Sequence, residues 1–216
     1  ALEYYEQALK MYRAIHQDKA HPSVARTLVN MGIVYKSQGN YAKALEYYEQ
    51  ALKMYRAIHQ DKAHPSVADV LYNMGNVYSD QGHYAKALEY YAQALKMDRA
   101  IHQDKAYPSV ARTLMGMGLV YANQGNDAKG LEYYAQALKM QRAIHQDKAH
   151  PDVASTLMNI GNTYWMLKNY EQAEAHYEQA YQMRKSFWGA THSDTQLSLK
   201  WLNNARQQQG KRPVVG

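Results

Sequence analysis

The 216 residues predict an all-α solenoid of antiparallel helix pairs, and three observations carry that prediction. The block from Lys43 to Met54 recurs from Lys86 to Met97 with a single change and returns from Lys129 to Met140. Pro22, Pro65, Pro108 and Pro151 stand 43 residues apart, as do Gly32, Gly75, Gly118 and Gly161. Within each period, two stretches carry apolar residues at helical spacing. A period of about 20 to 50 residues signals stacked units, none of which buries its apolar face alone.

Residues 1–17 read as the second helix of a truncated repeat; the chain opens mid-repeat without an initiator Met, like a fragment of a longer array. Four full repeats follow, at 22–60, 65–103, 108–146 and 151–188. In each, a first helix, A, starts at a step such as His64-Pro65, because Pro is pre-organised for the first helical position. Helix A of the second repeat is expected to run to about Gln81. Gly82 then takes the left-handed position that closes a helix, and His83 sits at the N-cap that Asn40, Asn126 and Asn169 occupy elsewhere. Helix B begins at once. From Tyr41, the residues Ala44, Leu45, Tyr48, Ala51, Leu52 and Tyr55 form one apolar face. After His192 the pattern decays. Leu199 and Leu202 keep apolar positions while Asn203 and Arg206 replace Gly and Tyr, which predicts a capping helix at 193–209 and a flexible tail at 210–216. The third repeat is expected to be the weakest: Gly116 and Gly130 each cost about 1 kcal/mol against Ala in a helix, and Asp127 replaces an apolar Tyr.

Seven positions alternate small and large residues so that two helices approach closely: Leu28, Met31, Gly32, Tyr35, Ala44, Tyr48 and Ala51. Their counterparts are Leu71, Met74, Gly75, Tyr78, Ala87, Tyr91 and Ala94, then Leu157, Ile160, Gly161, Tyr164, Ala173, Tyr177 and Ala180. This pattern resembles the tetratricopeptide repeat, with Leu in place of the usual Trp, across essentially the whole chain. The long repeat and the step His-Pro-Ser-Val-Ala further resemble the repeats of kinesin light chains and related bacterial arrays, with one residue more in the segment Ala57–His64. The resemblance implies a right-handed superhelix whose helices A line a concave groove for peptides or partner helices.

Helix A varies between copies along one stripe. The sets Arg26, Asp69, Arg112 and Ser155; Val29, Tyr72, Met115 and Met158; Ile33, Asn76, Leu119 and Asn162; and Lys36, Ser79, Ala122 and Trp165 follow at offsets of 3, 4 and 3. Asn30, Asn73 and Asn159 sit beside it, able to hydrogen-bond a peptide backbone. A surface left unconstrained drifts toward polar residues, whereas this stripe is rich in apolar ones. We therefore expect a non-catalytic protein interaction scaffold that takes a peptide or protein segment in the groove. Tyr72, Met115, Met158 and Trp165 would be its anchors, and Asn73, Asn159, Arg26 and Arg112 would orient the ligand. The kinesin resemblance implies an acidic ligand with an aromatic anchor, in line with a net charge of +6. The alternative is a structural spacer or self-assembly module within a longer repeat protein.

Other chemistries fit poorly. No nucleophile, base and oxyanion set is visible, so no enzyme is expected. Ten His occur, and the recurring His59-Gln60-Asp61 followed by His64 falls at a helix end and turn, where it can cap carbonyls and open the next helix; no metal and no cofactor are expected. The Tyr pairs point about 100° apart on a helix and serve packing. The charges are interspersed, and Val29, Tyr72, Met115 and Met158 read bases badly, which argues against nucleic acid. The carboxylate clamp of chaperone-binding tetratricopeptide domains is incomplete: Asn73 and Arg112 fit it, Val29, Ile33 and Gly116 do not. No stretch is apolar enough to span a membrane, and no Cys or signal pattern occurs, so a cytoplasmic location is expected. The uncapped helix at 1–17 is expected to favour end-to-end or helix-swapped homo-oligomers.

Overall fold

The computed structural model describes residues 2–17, 19–103 and 105–215. The first residue of the expected half-repeat and the last of the expected tail lie outside the described residues. The fold is an all-α repeat solenoid, with ten helices and no strand among the described residues. They are α1 (Leu2–His16), α2 (Pro22–Ser37), α3 (Tyr41–His59), α4 (Pro65–Asp80), α5 (Tyr84–His102), α6 (Pro108–Asn123), α7 (Asp127–His145), α8 (Pro151–Met166), α9 (Tyr170–Trp188) and α10 (Ser193–Gln208). They form two compact bodies, Ala1–Lys105 with α1 to α5 and Ala106–Gly216 with α6 to α10.

Helix starts and stops have local causes. His21, His64 and His150 each accept a hydrogen bond at Nδ1 from the backbone N–H two residues on, at 3.2 Å, and Pro follows each cap. Tyr107 makes no such side-chain bond. The A-to-B turn takes a left-handed residue in every repeat: Gly39, Gly82 and Gly125 at φ of 74° to 76°, but Lys168 at 57°. Asn40, Asn126 and Asn169 cap the following helix by accepting from Lys43, Lys129 and Gln172 N–H. His83, expected at the same post, makes no side-chain cap bond.

The core rests on the approach of helix A to helix B. A Cβ on Gly32, Gly75, Gly118 or Gly161 would lie 2.5 to 2.7 Å from the ring of Tyr48, Tyr91, Tyr134 or Tyr177, so the missing side chain is the slot the tyrosine fills. Gly130 of the third repeat is likewise enclosed: its Cβ would meet Gly118 O at 3.1 Å and Ala122 N at 3.2 Å. In the N-terminal body, Leu28, Met31, Tyr48, Leu71 and Met74 belong to one buried cluster. In the C-terminal body, Leu157, Tyr177, Tyr181, Leu199 and Leu202 form another. On α1, Tyr4, Met11 and Ile15 are exposed.

The described part of the tail folds back onto α9 and α10. Asn203 stands where the repeats carry Gly, and its amide grips Val214 from both sides, accepting from N–H at 2.7 Å and donating to C=O at 3.1 Å. Arg206 Nε donates to Arg212 O at 2.7 Å. Buried Glu174 of α9 collects Arg206 at 2.7 Å, Lys211 at 2.6 Å and Gln209 at 2.9 Å. Burial pushes the Glu174 carboxyl up, but the bonds from Lys211 and Gln209 and the charges of Lys211 and Arg206 outweigh it and hold it below the usual range. By register, this face of α10 matches the one that receives a helix B tyrosine in a complete repeat, so the tail covers it instead.

Candidate functional site

The stripe on α2 and α4 combines charge, apolar surface and unused amides. Arg26 and Asp69 are exposed, and Val29 and Tyr72 are half-buried against the core cluster beneath. Tyr72 leans on the Tyr91 ring at 5.5 Å between centroids. Ile33 is 46% exposed. Lys36 is committed to an ion pair with Asp80 at 2.9 Å, which links α2 to α4. Asn76 accepts a 2.6 Å bond from the Tyr91 hydroxyl. Asn30 and Asn73 are half-buried, and their side-chain amides make no hydrogen bond to the described residues.

On α6 and α8 the stripe carries more apolar surface. Arg112 and Met115 are half-buried and Leu119 is exposed. Met115 Sδ lies 3.4 Å from the Thr156 hydroxyl oxygen. Asn159 repeats the half-buried amide with no partner among the described residues, while Asn162 accepts from the Tyr177 hydroxyl at 2.8 Å. Trp165 is half-buried and edge-on to Tyr170 and Trp201, at 5.1 and 5.7 Å. Met158 corrects an expectation: at 6% exposure it is a core residue, not an anchor. Its unbranched side chain lies in the cluster that α10 closes with Leu199 and Leu202. Next to Trp165, Met166 is 75% exposed at the end of α8, where the helices A of repeats 1 to 3 end on Ser37, Asp80 and Asn123.

A second role emerges at the first two amide positions. Asn76 and Asn162 occupy the same place in the repeat and hold the hydroxyl of the core tyrosine that fills the glycine slot. In repeat 1 that place is Ile33, and the Tyr48 hydroxyl is buried without a partner. Burial pushes its pKa up to about 12. The variable stripe is therefore partly a packing feature.

Histidines pair at the junctions between repeats. His16 with His21, His59 with His64, and His145 with His150 stack with centroids 3.4 Å apart and planes within 11°. Burial, and next the neighbouring ring, hold His21, His59 and His145 below the ordinary value. In repeat 4, Asp152 joins His145 and His150, with one donor atom of each lying within 4.8 Å of the others. Parallel rings send their lone pairs side by side rather than toward one point, and His150 Nδ1 already accepts the Asp152 N–H. The arrangement suits a cap better than a cation.

Sequence reasoning passed over one column on helix B. Tyr55, Asp98, Gln141 and Arg184 occupy one repeated position, and all four are buried. It is the one helix B position at which repeats 1 to 3 carry three different residues, a signal that was present in the sequence. A cleft of about 480 Å3 in the N-terminal body is lined by Gln38, Gly39, Asn40, Tyr41, Ala42 and Gln81. It lies at the turns and offers only Tyr41 as a large apolar wall.

The profile described as Tetratricopeptide repeat matches residues 1–57 and 109–186, and a second profile of the same description matches 68–100. No curated protein matches the chain. Among solved structures, BtubC (BKLC) from P. vanneervenii is similar at a TM-score of 0.80 and 19% identity, covering 96% of this chain and 82% of that one. A Podosopora anserina protein with nearly identical TPR-like repeats, assigned by its name to the kinesin light chains, gives 0.72 and 21%, covering 89% and 90%. Rap protein complexed with Competence and Sporulation Factor gives 0.70 and 16%, covering 93% of this chain and 53% of that one. At these identities the likeness is one of fold. Among the described residues, no helix is long and apolar enough to cross a membrane.

Proposed function

Because the chain belongs to the tetratricopeptide repeat family, we propose that it is a non-catalytic interaction scaffold whose helix A stripes receive an extended segment of a partner protein. One observation supports this most directly. Asn30, Asn73 and Asn159 hold half-buried amides with unused donors and acceptors. They lie beside apolar surface of Val29, Ile33 and Tyr72 on one body and Met115 and Leu119 on the other. An amide offers both N–H and C=O to a peptide backbone, as Asn203 does to Val214 of the tail. A half-exposed amide is open to solvent, so a peptide backbone that takes the place of water there loses little and brings its side chains onto the apolar surface. Arg26 and Arg112, with the net charge of +6, favour acidic residues in the ligand.

The test is peptide display against the parent, against Asn30→Ala with Asn73→Ala, and against Asn159→Ala with Leu119→Ser, with circular dichroism on each. Enriched peptides that lose about tenfold or more in affinity for a folded variant carry the reading. Peptides that bind every variant alike, or no enrichment at all, refute it in favour of a spacer.

A further inference from the structure

Helix B is so uniform that most inter-repeat surfaces are interchangeable: the block from Lys43 to Met54 recurs almost unchanged in the next two repeats. Near-identical surfaces invite mispairing, within one chain or between two. The column Tyr55, Asp98, Gln141 and Arg184 breaks that uniformity in the buried interior. In the N-terminal body, Tyr55 of α3 shares its buried cluster with Val70 of α4 and has Ser66, Arg26 and Asp69 beside its hydroxyl. In the C-terminal body, Gln141 of α7 accepts the Thr156 hydroxyl of α8 at 2.8 Å, both residues buried. Arg184 of α9 donates to the Ser198 hydroxyl and the Asp194 carbonyl of α10, each at 3.0 Å. Val70, Thr156 and Ser198 themselves share one repeated position on α4, α8 and α10, where α2 and α6 carry Thr27 and Thr113.

We propose that this column is a register key, matching α3 to α4, α7 to α8 and α9 to α10 and so disfavouring exchange of these partners among near-identical repeats. The three junctions are chemically distinct: a phenol beside Ser66 at a position that faces Val70 by register, an amide against a hydroxyl, and a guanidinium against a hydroxyl and a carbonyl. Gln141 set against Val70 would bury an amide with no partner, and Arg184 set there would bury a charge with none. In the native order the Gln141 amide oxygen and the Arg184 Nη1 group each find a partner on the helix that follows, which Val70 does not offer.

The test makes two junctions alike. Gln141→Tyr with Thr156→Val gives the α7–α8 junction the pair found between α3 and α4. Thr156→Val alone strands the Gln141 amide and is expected to lower the folding equilibrium about tenfold, with the double variant recovering most of that loss. Refolded from urea at high concentration and analysed by size exclusion with light scattering, the double variant is expected to form misregistered or helix-swapped species at about fivefold or more the parent's fraction. Coupling below about twofold in the cycle, or a folded double variant with the parent's distribution of species, overturns the proposal. Should that pair fail to fold, Arg184→Gln with Ser198→Thr copies the amide–hydroxyl pair onto the last junction and is judged by the same two criteria.

Discussion

Replacing Tyr48 and Tyr91 by Phe removes the same hydroxyl from two equivalent places, and the structure predicts opposite signs. The Tyr91 hydroxyl donates to Asn76 at 2.6 Å, so its loss costs about 0.5 to 1.5 kcal/mol, the half-buried Asn76 amide turning back to water. Tyr48 is fully buried and its hydroxyl has no partner. An unsatisfied buried hydroxyl costs about 1 to 3 kcal/mol, so Tyr48→Phe is expected to stabilise by about 1 kcal/mol after some repacking loss. Ile33→Asn supplies the missing amide. It forfeits roughly half the burial of one Ile, about 1 kcal/mol, and regains about as much from the satisfied hydroxyl. In that background, Tyr48→Phe should become destabilising, a coupling of about 2 kcal/mol between positions 33 and 48. Urea denaturation at constant m-value reads all four corners of the cycle. Equal destabilisation by Tyr48→Phe and Tyr91→Phe would refute the reasoning, because it would mean that the Tyr48 hydroxyl is satisfied. The same burial acts on pH. With the folded pKa raised from 10.0 to about 12, stability from Tyr48 is intact below 10 and lost as pH rises through the folded value. Alkaline unfolding followed by circular dichroism should therefore weaken in Tyr48→Phe.

Gly75→Ala places a Cβ 2.7 Å from the Tyr91 ring, and the clash should exceed the helix-propensity gain of about 1 kcal/mol, for a net loss of about 2 kcal/mol in chemical denaturation. Asn203→Ala removes both bonds to Val214 and should cost about 1 to 2 kcal/mol, with faster amide exchange at Val214 as the local readout. The stacked histidines predict acid sensitivity. Their folded values lie below the ordinary 6.5, so the unfolded chain takes up protons first, and their contribution is intact above 6.5 and declines as pH falls toward the folded values. Tm should drop between about pH 7.5 and 5.5, and His64→Tyr, which installs the residue repeat 3 carries at Tyr107, should flatten that drop.

The repeat architecture was legible because its causes are local or periodic. A His-Pro step starts a helix wherever it stands, a Gly in the left-handed region ends one, and a Gly facing a Tyr at constant spacing marks the slot between two helices. The stripe was legible as a set of positions on one helical face. Its accessibility was not, since Met158 differs from Met115 through the α10 cluster around it rather than through its own chemistry.

By itself, the sequence determined the number, type and order of the helices, the tyrosine slots and the face on which variation gathers. Periodicity encodes these whatever the neighbours do. Tertiary structure decided which amides are free and which hold a tyrosine, where the tail lies, and what each buried residue of the column at 55, 98, 141 and 184 meets. Asn76 and Tyr91 stand 15 residues apart, as do Gln141 and Thr156. Whether a polar group at such a distance is satisfied depends on how closely two helices pack, which no single stretch of sequence specifies.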